Sequence, residues 1–261
     1  MRILFFGDVV GKPGRRGVAR WLSSFRNSED VDFVVANGEN SAGGIGLDPG
    51  SVRDLLSSGV DVLTSGNHVW AKREILEYIV DSDVVIRPAN FSPSNPGWGY
   101  TIKPSRRGTP IAVVNLIGRV FMNTYDCPFR AVDGVLESIG TRAKVILVDM
   151  HAEATSEKVA MGWHLDGRVS VVVGSHTHVQ TADERVLPGG TAYVTDAGMC
   201  GPRDSVIGVK REQVLRRFLT QMPGRFEVAD GAVLVQGVIV DVDDGTGSAT
   251  GIRRFQEVME P

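Results

Sequence analysis

Short runs rich in β-branched and aromatic residues recur along the chain, at 3–6, 33–36, 60–64, 111–116, 145–148, 169–173 and 192–195. Polar residues do not alternate through them, so each predicts a strand buried on both faces. Between strands the period changes. Val18, Trp21, Leu22 and Phe25 fall at i, i+3, i+4, i+7, which predicts a helix with one apolar stripe. Strand and helix alternate, and the chain reads as layered α/β. A later helix is expected over 213–222, stopped by Pro223-Gly224. The run from Val233 to Val242, the turn Asp243-Asp244-Gly245-Thr246-Gly247 and a last run at 252–258 then predict a closing hairpin. The stretch 87–108 holds Pro88, Pro93, Pro96, Gly97, Gly99 and Pro104 and is the one long irregular connection. It reads as a surface excursion, with a lid as the alternative. No repeat or low-complexity linker divides the chain, and a single domain across 1–261 is expected.

Composition narrows the function classes. With 261 residues, 42% hydrophobic and 23% charged, the chain has the profile of a soluble globular protein. Lys and Arg total 28 against 31 Asp and Glu, a formal net charge of -3, which disfavours nucleic acid as a stable partner. The pairs Arg15-Arg16, Arg106-Arg107, Arg216-Arg217 and Arg253-Arg254 therefore read as solvated faces. Cys127 and Cys200 cannot build a disulfide framework or a thiolate zinc site, and a reducing cytoplasm is the expected compartment. The apolar run after Met1 is too short for a signal core or a span, so no membrane association is expected.

The candidate chemistry lies where strands end. Asp8 follows the first run, Glu39-Asn40 the second and Asn67-His68 the third; His151 follows 145–148, and His176-Thr177-His178 follow 169–173. Ligand sites of open α/β sheets lie beyond the carboxyl ends of strands, so these five turns are expected to converge. One such residue alone would be an ordinary turn or cap. Here four of the five histidines share the pattern with two carboxylates and two asparagines, while His164 falls outside it and reads as packing or surface. Imidazole, carboxylate and amide without thiolate suit Mn²⁺, Fe²⁺ or Zn²⁺, and the donors are too many for one ion. Two ions roughly 3.5–4 Å apart form an arrangement used for displacement at phosphorus.

The blocks Gly7-Asp8-Val9-Val10-Gly11, Asn37-Gly38-Glu39-Asn40, Ser65-Gly66-Asn67-His68, Asp149-Met150-His151-Ala152-Glu153, Gly174-Ser175-His176-Thr177-His178 and Thr195-Asp196-Ala197-Gly198-Met199 span nearly the full chain. In this order they resemble the calcineurin-like metallophosphoesterases, and within them the YmdB-like phosphodiesterases. The resemblance implies a four-layer α/β/β/α sandwich and two divalent ions, Fe or Mn foremost and Zn third. It implies Glu39 as the bridging carboxylate, with Asp8, Asn40 and His178 on one ion and Asn67, His151 and His176 on the other. Val10 stands where the wider superfamily has a histidine, and Glu39 where it has Asp; the YmdB-like branch shares both departures.

The expected function is hydrolysis of small phosphodiesters, 2',3'-cyclic nucleotides first and 3',5'-cyclic ones second. A metal-bridging hydroxide would attack, and His68 would act as general acid on the departing oxygen. The rival reading is a regulatory or RNA-associated binding protein with little turnover. Homo-oligomerisation is left open. Two other motifs fail. Gly7 to Gly11 encloses three residues where a phosphate loop needs four, and Pro13 stands in place of its Ser/Thr. His151-Ala152-Glu153 lacks the P-C-x-x-C partner of zinc deaminases, which leaves Glu153 as an acid behind the ligands or on the surface. Gly43-Gly44 and Gly46 would let substrate approach the backbone or form a flexible turn.

Overall fold

A computed structural model of the chain describes residues 1–26 and 29–260. It opens with β1 (Arg2–Phe6), β2 (Asp8–Val9), α1 (Gly11–Arg26), β3 (Phe33–Asn37), α2 (Pro49–Ser57), β4 (Val62–Thr64) and α3 (Ile75–Ile79). The middle supplies β5 (Tyr100–Pro104), β6 (Pro110–Ile117), α4 (Pro128–Ile139), β7 (Val145–His151), α5 (Thr155–Leu165), β8 (Val171–Ser175), β9 (Arg185–Val186) and β10 (Ala192–Val194). β11 (Met199–Pro202), α6 (Arg211–Thr220), β12 (Val233–Val242) and β13 (Ala249–Met259) complete it.

The strands form two sheets. One has the order β2-β11-β12-β1-β3-β4, with β13 also paired to β12; the other runs β5-β6-β7-β8-β10-β9. The neighbours β1, β3 and β4 are parallel, as are β6, β7, β8 and β10. Successive residues of a strand point to opposite faces. Ile3 and Phe5 therefore enter the layer between the sheets, where they join Val145 and Leu147, while Leu4 and Phe6 pack outward with Trp21 and Leu22 of α1. On the second sheet Ile146 and Val148 face outward toward Met161 and Leu165 of α5. Both faces of the central strands of both sheets are covered, which is why the runs are so largely apolar and why the architecture has four layers, α/β/β/α.

All seven apolar runs coincide with strands. The expected helix over 213–222 lies two residues earlier, as α6, and ends where Gln221 turns left-handed at φ 57°. The closing hairpin is present and longer than expected, with β13 beginning at Ala249. The stretch 87–108 is not irregular throughout, because its end forms β5, an edge strand antiparallel to β6. Its remainder is pinned. The buried guanidinium of Arg87 donates to the carbonyls of Pro88 at 2.8 Å and Pro96 at 3.3 Å, and the Asn90 amide donates to those of Ile117 and Asp126 at 2.8 and 2.9 Å. Such anchoring makes it a wall rather than a loose excursion. Among the described residues no helix is long and apolar enough to cross a membrane.

Candidate metal centre

The donors arrive from two sheets rather than from the edge of one. Asp8 begins β2 directly after β1, Glu39 and Asn40 follow β3, and Asn67 and His68 follow β4. His151 ends β7, in register with Ser175 at the end of β8, and His176 and His178 lie just beyond. The carboxyl ends of both sheets thus meet at one seam.

Glu39, His151 and His176 each bring a ligand atom to within 4.8 Å of the others. Oε1 of Glu39 is 3.2 Å from Nε2 of His151, and Nδ1 of His176 is 3.0 Å from the same Nε2. Asn67 Oδ1 approaches His151 Nε2 at 3.1 Å. On the opposite side, Asp8 Oδ1 lies 3.7 Å from His178 Nε2, and Asn40 Nδ2 lies 3.2 Å from that nitrogen and from Glu39 Oε1. The other six candidate donors therefore gather round Glu39, itself buried and held by the backbone N–H of His68 at 3.1 Å.

The donor set fits a divalent cation. Asp8 Oδ1 is buried with no hydrogen-bond partner, although its sister Oδ2 accepts from the His176 backbone at 3.0 Å. An orphaned buried acceptor of this kind costs about 1–3 kcal/mol or more unless a ligand satisfies it. Space is also reserved: a methyl group on Gly66 would overlap both the His151 ring and Glu39 Oε2.

Electrostatics follow from the crowding. Burial and then the neighbouring charge of His151 push His176 down to about 3. Burial works the same way on His151, but Glu39, Asp8 and Asp149 outweigh it and lift that imidazole to about 9. Burial likewise opposes ionisation of Glu39, yet His151 and His68 overcome it and hold its carboxyl well below the usual range. Burial pushes Asp8 up.

Most of the residues that orient the donors, Asn37, Asp149, Ser175, Thr177 and Asp196, stand inside the sequence blocks quoted above, but the sequence assigns them no role. Ser175 Oγ donates to Asp149 Oδ1 at 2.6 Å and lies 2.9 Å from His151 Nδ1. With the serine proton given to the carboxylate, Nδ1–H donates to the serine oxygen, so the proton that His151 must lose on ligation is the one on Nε2, which frees that lone pair for the cage. Thr64 Oγ1 at 2.5 Å and Asn37 Nδ2 at 3.0 Å also donate to Asp149, whose pKa burial raises to about 6. A second support sits under the turn after β8. Lys158 and Asp196, both buried, pair at 2.8 Å, and Asp196 accepts from Thr177 Oγ1 at 2.6 Å and from the Gly198 backbone at 2.8 Å. This clamp holds a turn in which His176 and His178 both have positive φ, 97° and 64°. Non-glycine residues there cost of order 1–3 kcal/mol each.

His68 Nδ1 meets Asn40 Oδ1 at 2.9 Å, and its ring lines a cavity of about 580 Å³ together with Glu39, Asn40, His176 and His178. Away from the donors its lining is largely apolar, with Ile45, Ile207, Val209, Phe226 and Val228, and Gly43, Gly44 and Glu227 also border it. Glu153 is half-exposed in this cavity, 3.1 Å from His176 Nε2. His164 stands apart: it contacts Asp133 at 3.0 Å and the edge of Phe129, linking α5 to α4.

The fold is similar to that of the calcineurin-like phosphoesterase YfkN of Bacillus subtilis, with TM-score 0.58 at 11% identity over 98% of this chain and 90% of that one. Residues 4–255 match the YmdB-like protein family, and the chain belongs to it. It is 48% identical to the 2',3'-cyclic-nucleotide 2'-phosphodiesterase of Bacillus subtilis over 98% of this chain and 96% of that protein. A crystal structure of a hypothetical protein from Thermus thermophilus superposes with TM-score 0.93 at 43% identity, each chain covered in full. A structure described as a novel phosphatase, from Mycoplasma pneumoniae, gives TM-score 0.93 at 33% identity, covering 100% of this chain and 94% of that one.

Proposed function

We propose that the protein is a dinuclear metal-dependent phosphodiesterase acting on 2',3'-cyclic nucleotides. The observation that carries this reading is the lining of the cavity beside the cage. Among the described residues that form it there is no Lys or Arg, while its lining away from the donors is largely apolar. A phosphomonoester dianion would find no cationic side chain there, whereas a diester brings one negative charge and an organic group that the wall can bury. The name of the Bacillus subtilis relative supports the cyclic substrate and cleavage at the 2' oxygen.

Asp8, Glu39, Asn40 and His178 would hold one cation and Glu39, Asn67, His151 and His176 the second, with Fe²⁺ or Mn²⁺ preferred and Zn²⁺ third. Such cations supply Lewis acidity and a source of hydroxide near neutral pH. An asparagine ligates through its oxygen, so Asn40 would turn its amide over and offer Nδ2–H to His68 Nδ1. That exchange places the His68 proton on Nε2, the nitrogen left for the cavity, where it can pass to the departing oxygen. The apolar wall and Phe226 would hold the base.

The test compares turnover of 2',3'-cyclic AMP, 3',5'-cyclic AMP and a phosphomonoester by Mn²⁺-loaded protein. The 2',3' isomer should be the best substrate, and a preference for the monoester would overturn the reading. His68→Ala should slow the cyclic nucleotide at least about 100-fold.

A further inference from the structure

A second cavity touches the same cage from another side. It encloses about 540 Å³ and is lined by Asn67, Trp70, Phe91, Asn95, Asn123 and Tyr125 among others. It shares no lining residue with the His68 cavity, yet the consecutive residues Asn67 and His68 each face one of the two. The pinned stretch after Arg87 forms one wall, and the segment ending at Asp126 forms the other, tied together through Asn90.

Its lining is aromatic and rich in amides. Phe91 stacks on Tyr125 with ring centroids 5.0 Å apart, and Trp70 lies 6.1 Å from Phe91, which gives a continuous aromatic wall. Asn95 and Asn123 carry both donors and acceptors, as the edges of a base require. The only charged residue in the lining is Asp126, and no basic side chain is present among the described lining residues, so a second phosphate is unwelcome and a neutral heterocycle is not.

We infer that the cage also cleaves linear phosphodiesters bearing a nucleoside on each side, with the aromatic cavity of Trp70 and Tyr125 as the second nucleoside subsite. This rests on the phosphodiesterase reading above and extends its substrate class to dinucleotides. The oxygen of water forms the new bond to phosphorus, and the ester bond to the nucleoside in the His68 cavity breaks. The departing oxygen takes a proton from His68, and the nucleotide in the aromatic cavity keeps the phosphate. No oxidant or second reactant is needed.

The experiment measures kcat/KM for the dinucleoside monophosphate ApA and for 2',3'-cyclic AMP, with Mn²⁺-loaded wild type and with three variants. Trp70→Ala and Tyr125→Ala remove aromatic surface. Ser92→Trp, at an exposed position on the rim, fills the cavity without disturbing the core. Wild type should cleave both substrates. The variants should lose about tenfold or more on ApA, chiefly through KM, and stay within about twofold on the cyclic mononucleotide. Failure of wild type to cleave ApA while it turns over 2',3'-cyclic AMP overturns the inference, as do equal losses on both substrates or no loss on either. Failure on both substrates instead overturns the phosphodiesterase reading. Should Trp70→Ala not fold, Ser92→Trp decides.

Discussion

Replacement of Asp196 by alanine is the most informative perturbation of the support beneath the cage. Its carboxylate accepts from Lys158 Nζ, the Thr177 hydroxyl and the Gly198 backbone, and Lys158 is 1% exposed. Asp196→Ala leaves a buried ammonium whose other contacts are longer, 3.3 Å to the Ser175 carbonyl and 3.4 Å to Thr177 Oγ1. Removing one partner of such a pair costs about 3–5 kcal/mol, because the remaining charge is stranded rather than because the pair itself is worth that much. In a chain of this size that corresponds to a fall in Tm of roughly 6–20 °C. The double variant Lys158→Met/Asp196→Asn removes the stranded charge and keeps an acceptor for Thr177, so it should recover at least about half of the loss. Calorimetry or denaturant melts of the wild type, Asp196→Asn, Lys158→Met and the double variant form the cycle, with Asp196→Ala measured beside it. A loss below about 1 kcal/mol for Asp196→Ala, or a double variant as unstable as the two singles summed, would refute the argument. Manganese titration supplies a second readout, since Thr177 lies between His176 and His178.

Gly66→Ala should leave the fold intact by circular dichroism yet abolish tight cation binding, because the added methyl would overlap Glu39 and His151; unchanged affinity by isothermal titration would contradict this. Ser175→Ala breaks the link from His151 Nδ1 to Asp149 and should weaken cation affinity about 10–100-fold, read from activity against free Mn²⁺. His151, lifted to about 9 in the metal-free protein, must lose a proton to ligate, so cation affinity should rise as pH climbs from 7 to 9, by up to about tenfold per unit, and level off above. A flat profile over that range would show that His151 is already neutral at pH 7.

The strands were legible because a sheet covered on both faces demands apolar residues in succession, as at Ile3 to Phe6. β9 and β11 were not: the first is two exposed residues, and the second holds Gly201 and Pro202, both unfavourable in strands. The convergence of the candidate donors could be read from position, since a polar residue directly after a buried run is conspicuous. The roles of Asp149, Ser175 and Lys158 were hidden for the opposite reason. These residues sit within a strand or helix, and their task depends on partners 26 and 38 residues distant, which no local pattern records. Glu153 illustrates the limit, for the sequence left it behind the ligands or on the surface and its contact with His176 makes it partly both.

The division of donors between the sheets has a mechanical corollary. Every oxygen and amide donor of the candidate cage comes from the leaf built by β1, β3 and β4, and each of its imidazoles from the leaf built by β7 and β8. Cations lodged between them would act as a rivet through the sandwich, each adding about 2.7 kcal/mol of cohesion at a concentration 100 times its dissociation constant. Chelation would then loosen the joint between the leaves before it loosens either leaf.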